Sequence, residues 1–590
     1  MKKEEKTSKK QKFRKILKYI LLLLVIVVVV NIIPSFFYRS TKNDSPLQPV
    51  YRKGVYHVHS IYSDGRGTVE DITKAAGSLG LDFVVLTDHG QPNLKSSAST
   101  SWRNNVLLIG GSEFSLNCGH LAVMGYRTPD YIFPPEPQEA IDEIVKENEN
   151  GVCFIAHPFD NRISWRDWDI RDFSGLEVLS SYSEARKVGL LKLLVFPFKY
   201  WINSKYALLN TMSYPIADIK KWDELNKDAN MLRQYSGIYA LDAHAKIPLT
   251  KKIFLDLPSY KSMFEIMTVY VRTTETREKD AYKAADEIVR GLRQGQFFNV
   301  IEAIAPANGF DAFFVDDEKG QRMEMGGATW QEKGKLVVML PMNFDTEIRV
   351  IKDGVEIERM INKQKKWQKI GVTGRGVYRL ELYVRDNMFN HLPWLITNPF
   401  YVGMKPAQVD ERKVKEMAVT VKRRLLDNGD RVGFIVEKNS GSEGVMELKV
   451  PVENVPAGVT RFKFKLGKNG SAKIDFWSVL ALRKELDLSG YRGVVLETRG
   501  SKQLRFWVEF RTGEEDGNGS GGNGTSYRHS FLVTPEWRKV VIPFEKFHAY
   551  FGKKQAANMA KIRSFFIGIN NVGAYEGTEG ELLLKYLGVY

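Results

Sequence analysis

Residues 56–65 read YHVHSIYSDG. Side chains two apart on an extended chain share a face, so His57 and His59 present their imidazoles to the same side. Asp64 follows in a Ser-Asp-Gly turn, close in sequence to the pair. An HxH pair alone is equally at home in a structural turn. Its weight comes from the chain on either side of it.

Working outward, the pattern recurs. LTDHG sets Asp88 and His89 directly after the apolar run Phe83–Thr87. GGSEFS carries Glu113, and CGHLAVMG carries His120. His157 ends FIAHPF, and Asp242 and His244 end ALDAHAK, again two apart. Six of the nine histidines thus fall before residue 245, each at or near the end of a strand-like run. Neutral imidazole and carboxylate are ligands that Zn²⁺, Mn²⁺ and Fe²⁺ favour. Core packing does not call for six histidines in this arrangement with Asp and Glu between them. The strand-like runs Gly54–His59, Phe83–Thr87, Val106–Ile109, Val152–Ala156, Leu176–Leu179, Ile238–Leu241 and Phe264–Arg272 alternate with helical periods. Val69, Ile72, Ala75, Ala76 and Leu79 follow helical spacing behind Thr68 as N-cap, and Ala281 to Leu292 forms another such stretch. Alternating β and α units predict a parallel sheet closed into a barrel, with strand ends converging on one mouth.

The order HxHSxxSDG, TDHG, Glu, HP, DxH resembles the PHP (polymerase and histidinol phosphatase) family over residues 51–305. The resemblance implies an α/β fold, a distorted (βα)7 barrel, with two or three divalent ions (Zn, Mn or Fe) and phosphoesterase activity. It implies that His57, His59, Glu113 and Asp242 hold one ion, that Glu113 bridges to a second held by His120 and His157, and that Asp64, His89 and His244 hold a third. Asp64 takes a place where some members carry His. A metal-bound hydroxide would then attack phosphorus in line. Asp88, His89 and Glu113 are the catalytic candidates. For Asp88 the alternatives are orienting His89, acting as an acid, and capping a turn. Glu177, in GLEVLSSYSE, is expected to support the ligands from behind. Arg162, Arg186 and Lys246 lie near the motifs and are candidates for holding phosphate, against an ordinary surface role.

The flanks suggest a compartment. The first 18 residues carry eight Lys and one Arg against two Glu, a basic tail. Residues 19–37, YILLLLVIVVVVNIIPSFF, are nearly all apolar and read as a transmembrane anchor with the N-terminus cytoplasmic and the bulk of the chain outside. Residues 38–50 are a linker. The rest of the net charge of +16 is spread thinly, so a nucleic-acid coat is not expected. The two cysteines, Cys118 and Cys153, cannot build a disulfide framework and read as buried thiols. The apolar, aromatic and basic segment 184–215 reads as a core helix pair or as a segment lying on a bilayer surface.

Beyond residue 305 the helical periods stop. Residues 306–404 read as a small all-β sandwich, 405–416 as a linker, and 417–590 as a second all-β domain. That last region resembles a galactose-binding-like jelly roll of the carbohydrate-binding type, on DLSGYRGVVLETRG, EWRKVVIPFEKF and FFIGINNVG. The likeness makes glycan a candidate partner, with Trp507, Tyr527 and Tyr550 as stacking platforms. The leading reading is a membrane-anchored extracytoplasmic phosphoesterase acting on a phosphorylated small molecule or envelope glycan. The alternatives are a non-catalytic glycan binder with a vestigial barrel, and an exported nuclease.

Overall fold

A computed structural model describes residues 18–19, 28–126, 131–147, 151–227, 234–248, 254–255, 257–404, 419–427, 433–453, 455–468, 476–512, 525–551, 557–571 and 574–590. They divide into two compact units. The second comprises Ser115–Cys118, Arg127–Glu143 and Asp410–Tyr590; the first is the remainder.

In the first unit Tyr51–Val58 pairs parallel with Phe83–Leu86, which pairs parallel with Val106–Ile109. On its other side Tyr51–Val58 runs antiparallel to Thr268–Arg272, itself antiparallel to Phe297–Val300. A second sheet orders Gly111–Leu116, Gly119–Met124, Val152–Ile155, Gly175–Ser180 and Ser236–Ala240. Only its last three strands run parallel, because Gly119–Met124 meets Val152–Ile155 antiparallel. Two isolated bridges join the sheets, Val58 with Ala243 and His89 with Glu113. The expected (βα)7 barrel is therefore corrected. A barrel of that kind needs every strand parallel and a continuous ladder around the axis. Here antiparallel neighbours interrupt the βα alternation, and between the sheets the ladder thins to single bridges.

The helices that do form obey their sequence signals. Thr68 caps Val69–Gly77 in a reciprocal capping box with Asp71. Ala281–Arg293 turns Ala284, Ile288, Val289 and Leu292 into the core, where they meet Tyr56, Phe83 and Phe154. The segment 184–215 folds into helices, Leu190–Ile202 followed by Ser204–Leu209. Val195, Phe196 and Leu208 are buried, while Leu193, Leu194, Phe198 and Trp201 are exposed.

A separate sandwich over 306–404 is likewise corrected. Leu395–Thr397 adds to the free edge of Phe297–Val300, so Gly376–Val384 and Phe400–Val402 extend the first sheet instead of founding a new domain. An exposed edge strand is a template for pairing, and this one is paired within the chain.

Residues 20–27 of the expected anchor, 19–37, lie outside the described residues, as do residues 1–17 of the basic tail and the whole 405–416 linker. Among the described residues no helix is long and apolar enough to cross a membrane. The helix seen at 28–37 leads into Tyr38, which is buried and donates to the Ala303 carbonyl at 2.6 Å. The expected transmembrane helix is thus not found among the described residues.

The second unit contains two six-stranded sheets whose strand pairs are antiparallel. Leu480, Val508 and Ile567 from one and Leu496, Leu584 and Leu587 from the other share one core. The residues 131–143 belong to it through Arg505, which donates to the Ile132 carbonyl at 2.9 Å and pairs with Glu143 at 2.5 Å.

Candidate metal centre

The site forms where the 12-stranded and the 5-stranded sheets of the first unit meet. His57 lies in a strand whose pairing shifts register between Val55 and Val58, an irregularity that re-aims side chains. Its φ is +65°, a left-handed conformation uncommon outside glycine. His157 and Asp242 share that feature, at +31° and +50°. Three non-glycine residues of one cluster held in costly backbone conformations mark a functional site, because only the surrounding structure can sustain them.

Glu113 stands at the centre. One carboxylate oxygen, Oε1, lies 2.8 Å from His120 Nδ1 and 2.9 Å from His157 Nε2. The other, Oε2, lies 3.4 Å from His57 Nε2, 3.3 Å from His59 Nε2 and 3.2 Å from His89 Nδ1. Asp242 Oδ1 closes the His57 and His59 side at 3.6 and 3.3 Å. Asp64 Oδ1 sits 3.1 Å from His244 Nε2, 3.6 Å from His59 Nδ1 and 3.7 Å from His89 Nε2. Among the described residues, three groups able to hold a cation result: His57, His59 and Asp242; His89, Glu113 and His120; His59, Asp64, His89 and His244. All nine expected ligand residues are brought together. His59 and His89 each stand in two groups, a sharing that the sequence did not indicate.

The donor set fits cations. Glu177 Oε1 holds His57 Nδ1 at 2.5 Å, so Nε2 turns its lone pair inward when the ring is neutral. That atom is 3.1 Å from His59 Nε2, and carboxylate oxygens face both nitrogens. Inward lone pairs and anions repel unless a proton or a cation lies between them. Protonation follows the same logic. Burial opposes charge on His57, but Glu177, Glu113 and Asp242 outweigh it and raise its pKa well above the ordinary value. Burial likewise opposes charge on His59 and His157; Asp242 and Glu113 push His59 up to about 9, and Glu113 does the same for His157. For Glu113 and Asp242 burial is again outweighed, by His57 and the other histidines, and both are held well below the carboxylate range. His89 goes the other way, down to about 4, because burial dominates.

The remaining candidates divide. Asp88 is buried and faces the turn after the first strand: it accepts from Ser60 N and Ser63 Oγ on one oxygen and from Ser60 Oγ on the other, at 2.7 to 2.8 Å. It is placed as a turn-holding carboxylate. Glu177 bridges two ligands, because its second oxygen accepts from the His157 backbone N–H at 2.8 Å. Lys246 bonds Asp64 Oδ2 at 2.9 Å. Arg186 pairs with Asp160 at 3.3 Å and stacks over Tyr182, whose ring lies 5.1 Å from that of His244. The Arg162 side chain lines the same cavity as Arg186 and Lys246.

Three further residues escaped the sequence reading. Tyr182 follows the strand that carries Glu177, a strand-end position that could have drawn notice. Asp160, three after His157, positions Arg186 and Ser183. Tyr260 donates to the His59 carbonyl at 2.7 Å, and nothing local signals it. Cys118 and Cys153 are both buried and form no disulfide, with the Cys153 thiol pushed up to about 12 by burial. In the second unit Trp507 lies under the Arg528 guanidinium at 3.9 Å and Tyr527 stacks on Phe510 at 5.3 Å; both are buried, so neither is an open stacking face. The side chain of Tyr550 lies outside the described residues.

Residues 460–585 match the family model for Complex I intermediate-associated protein 30 (CIA30). No curated protein matches the chain. Among solved structures, one similar chain is a two-domain protein from Bacteroides vulgatus containing a predicted PHP-like metal-dependent phosphoesterase: 13% identity, 61% of this chain, 99% of that one, TM-score 0.29. Another is the family 11 carbohydrate-binding module of the cellulosomal cellulase Lic26A-Cel5E of Clostridium thermocellum, at 13% identity, 29% of this chain, 95% of that one and TM-score 0.22. A family 30 carbohydrate-binding module from the same organism gives 14%, 28%, 95% and 0.22.

Proposed function

We propose that the first unit is a metal-dependent phosphoesterase. The observation that carries this is Glu113, which turns one oxygen to His120 and His157 and the other to His57, His59 and His89. A carboxylate so shared between two ligand groups suits two divalent ions about 3.5–4 Å apart, which is the arrangement for phosphoryl transfer. Such ions supply charge neutralisation at the phosphoryl oxygens and an acidified water. In this reading His57, His59, Glu113 and Asp242 serve one ion, Glu113, His120 and His157 a second, and Asp64, His89 and His244 a third.

The chain's own residues do the rest. Glu177 fixes the tautomer of His57 and the backbone of His157. Asp88 holds the turn that presents Asp64. Lys246 and Arg186 supply positive charge where a phosphoryl group would sit, the charge-assisted contact that phosphate favours. Overall, water's oxygen bonds to phosphorus, the ester P–O bond breaks, and a proton passes to the leaving alkoxide.

The test is phosphate release from a panel of mono- and diesters by the full chain loaded with Mn²⁺, Zn²⁺ or Fe²⁺. Activity lost in His57→Ala, and at least one ion per chain by elemental analysis, is expected. No release from any ester, or unchanged activity in His57→Ala, overturns the reading.

Glycan contact through the second unit is a second reading. Its place would be a cleft of about 180 Å³ whose wall includes Trp507, His548 and Asn570. Retention of the full chain on immobilised polysaccharide, lost in His548→Ala, would support it; equal elution with and without polysaccharide would sink it.

A further inference from the structure

Beside the metal centre lies a cavity of about 260 Å³ that phosphate chemistry alone does not explain. Tyr182 and Lys246 belong to both places: they line the cavity, while Tyr182 packs against the His244 ring and Lys246 bonds Asp64. Arg162 and Arg186 also line it. Apart from Ser181 and Thr211, the rest of the wall is apolar. Phe196, Leu208 and Met263 are buried in it, and Leu193 lies at an exposed position on the same wall. A small, fully polar ester gains nothing from such a wall, because burying hydroxyl groups against hydrocarbon leaves their hydrogen bonds unmade. A ligand with one anionic and one apolar end gains on both.

We propose that the substrate is a phosphate ester of an apolar alcohol. Its hydrocarbon part lies among Phe196, Leu208 and Met263, and its phosphate faces Lys246, Arg186 and the histidine cluster. The inference rests on the phosphoesterase reading and narrows it. On the helix that supplies Phe196, Leu193 carries the apolar wall on to an exposed position, so a longer chain can run outward along it. Hydrolysis would release the apolar alcohol and inorganic phosphate, with water's oxygen on phosphorus and the proton on the alkoxide.

The experiment uses the metal-loaded full chain and two matched series. Methyl-, butyl- and octylphosphonate, which cannot be hydrolysed at the P–C bond, are titrated calorimetrically. Methyl, butyl and octyl phosphate are assayed for phosphate release. Affinity should rise along the phosphonates by up to about fourfold per methylene, the factor that ~0.8 kcal/mol per buried CH₂ converts to. Leu193→Glu, at an exposed position that folding does not depend on, should flatten the series while methylphosphonate binds as before. Phe196→Ala should shorten the chain length at which the gain stops. Equal affinity for all three phosphonates, with all three esters hydrolysed at equal kcat/KM, overturns the cavity assignment and leaves the phosphoesterase standing. Graded phosphonate affinity with no phosphate release overturns the phosphoesterase and keeps the apolar ligand. A graded series that neither variant alters places the apolar contact elsewhere and overturns the proposal.

Discussion

Glu177 shows how one carboxylate governs a site it does not enter. It grips His57 Nδ1 and the His157 backbone together, and it is fully buried. Glu177→Gln keeps the shape but removes the charge that favours the Nδ1–H form. Metal affinity should fall about 10- to 100-fold, the usual cost of losing such a partner. Chelator competition measures it, and unchanged affinity would reduce Glu177 to packing. Asp218 makes a different prediction. Burial, opposed by Lys187, raises its pKa to about 7. The folded state then keeps a proton that the unfolded chain releases near the ordinary value of 3.8. A raised carboxyl pKa contributes stability at low pH that is lost as pH rises from about 4 to about 7. Asp218→Asn has no such proton to lose. Its melting temperature relative to wild type should climb between pH 5 and pH 8, and a constant difference would sink the assignment.

At the scale of elements, the sequence grouped the candidate ligands better than it placed the sheets that hold them. His57, His59, Asp242 and His244 were legible because strand-end chemistry depends on local spacing. The sheets were not legible, because pairing partners are set across long sequence distances. Nothing in Gly119–Met124 announces that it meets Val152–Ile155 antiparallel, and nothing in Leu395–Thr397 announces its place beside Phe297–Val300. The helix behind Thr68 was legible from that N-cap and the apolar spacing after it, while the reciprocal bond from Asp71 was not. The turn carrying Asp64 offers a test at this scale. A Cβ on Gly65 would lie 2.3 Å from the His59 carbonyl oxygen, a backbone atom that cannot step aside. Gly65→Ala should therefore displace the turn, at ~1–3 kcal/mol, the typical penalty for a forced backbone shift. Ion content should drop by the site that Asp64 serves while the Glu113 groups stay filled. Full ion content in Gly65→Ala would show that Asp64 is not a ligand.

Among the described residues, each of the two units has an apolar core of its own. One gathers Tyr56, Phe83, Phe154 and Leu292 beneath the metal centre; the other gathers Leu480, Leu496, Ile567 and Leu587 between the sheets of the second unit. Every candidate ligand belongs to the first unit. A ligand that binds only the folded form stabilises it by RT ln(1 + [L]/Kd), ~2.7 kcal/mol at a hundredfold excess over Kd. The metal should therefore act on one core and leave the other alone. Calorimetry of the full chain should resolve two transitions. Adding Mn²⁺ or Zn²⁺ should raise one by several degrees, and a chelator should reverse it. Arg505→Ala, which removes the ion pair with Glu143 within the second unit, should lower the other transition and leave the metal-sensitive one in place. If the metal moved both transitions equally, or Arg505→Ala shifted the metal-sensitive one, the cores would melt as a single cooperative body. The division of labour between a chemical unit and a second β-rich unit would then fail at the thermodynamic level.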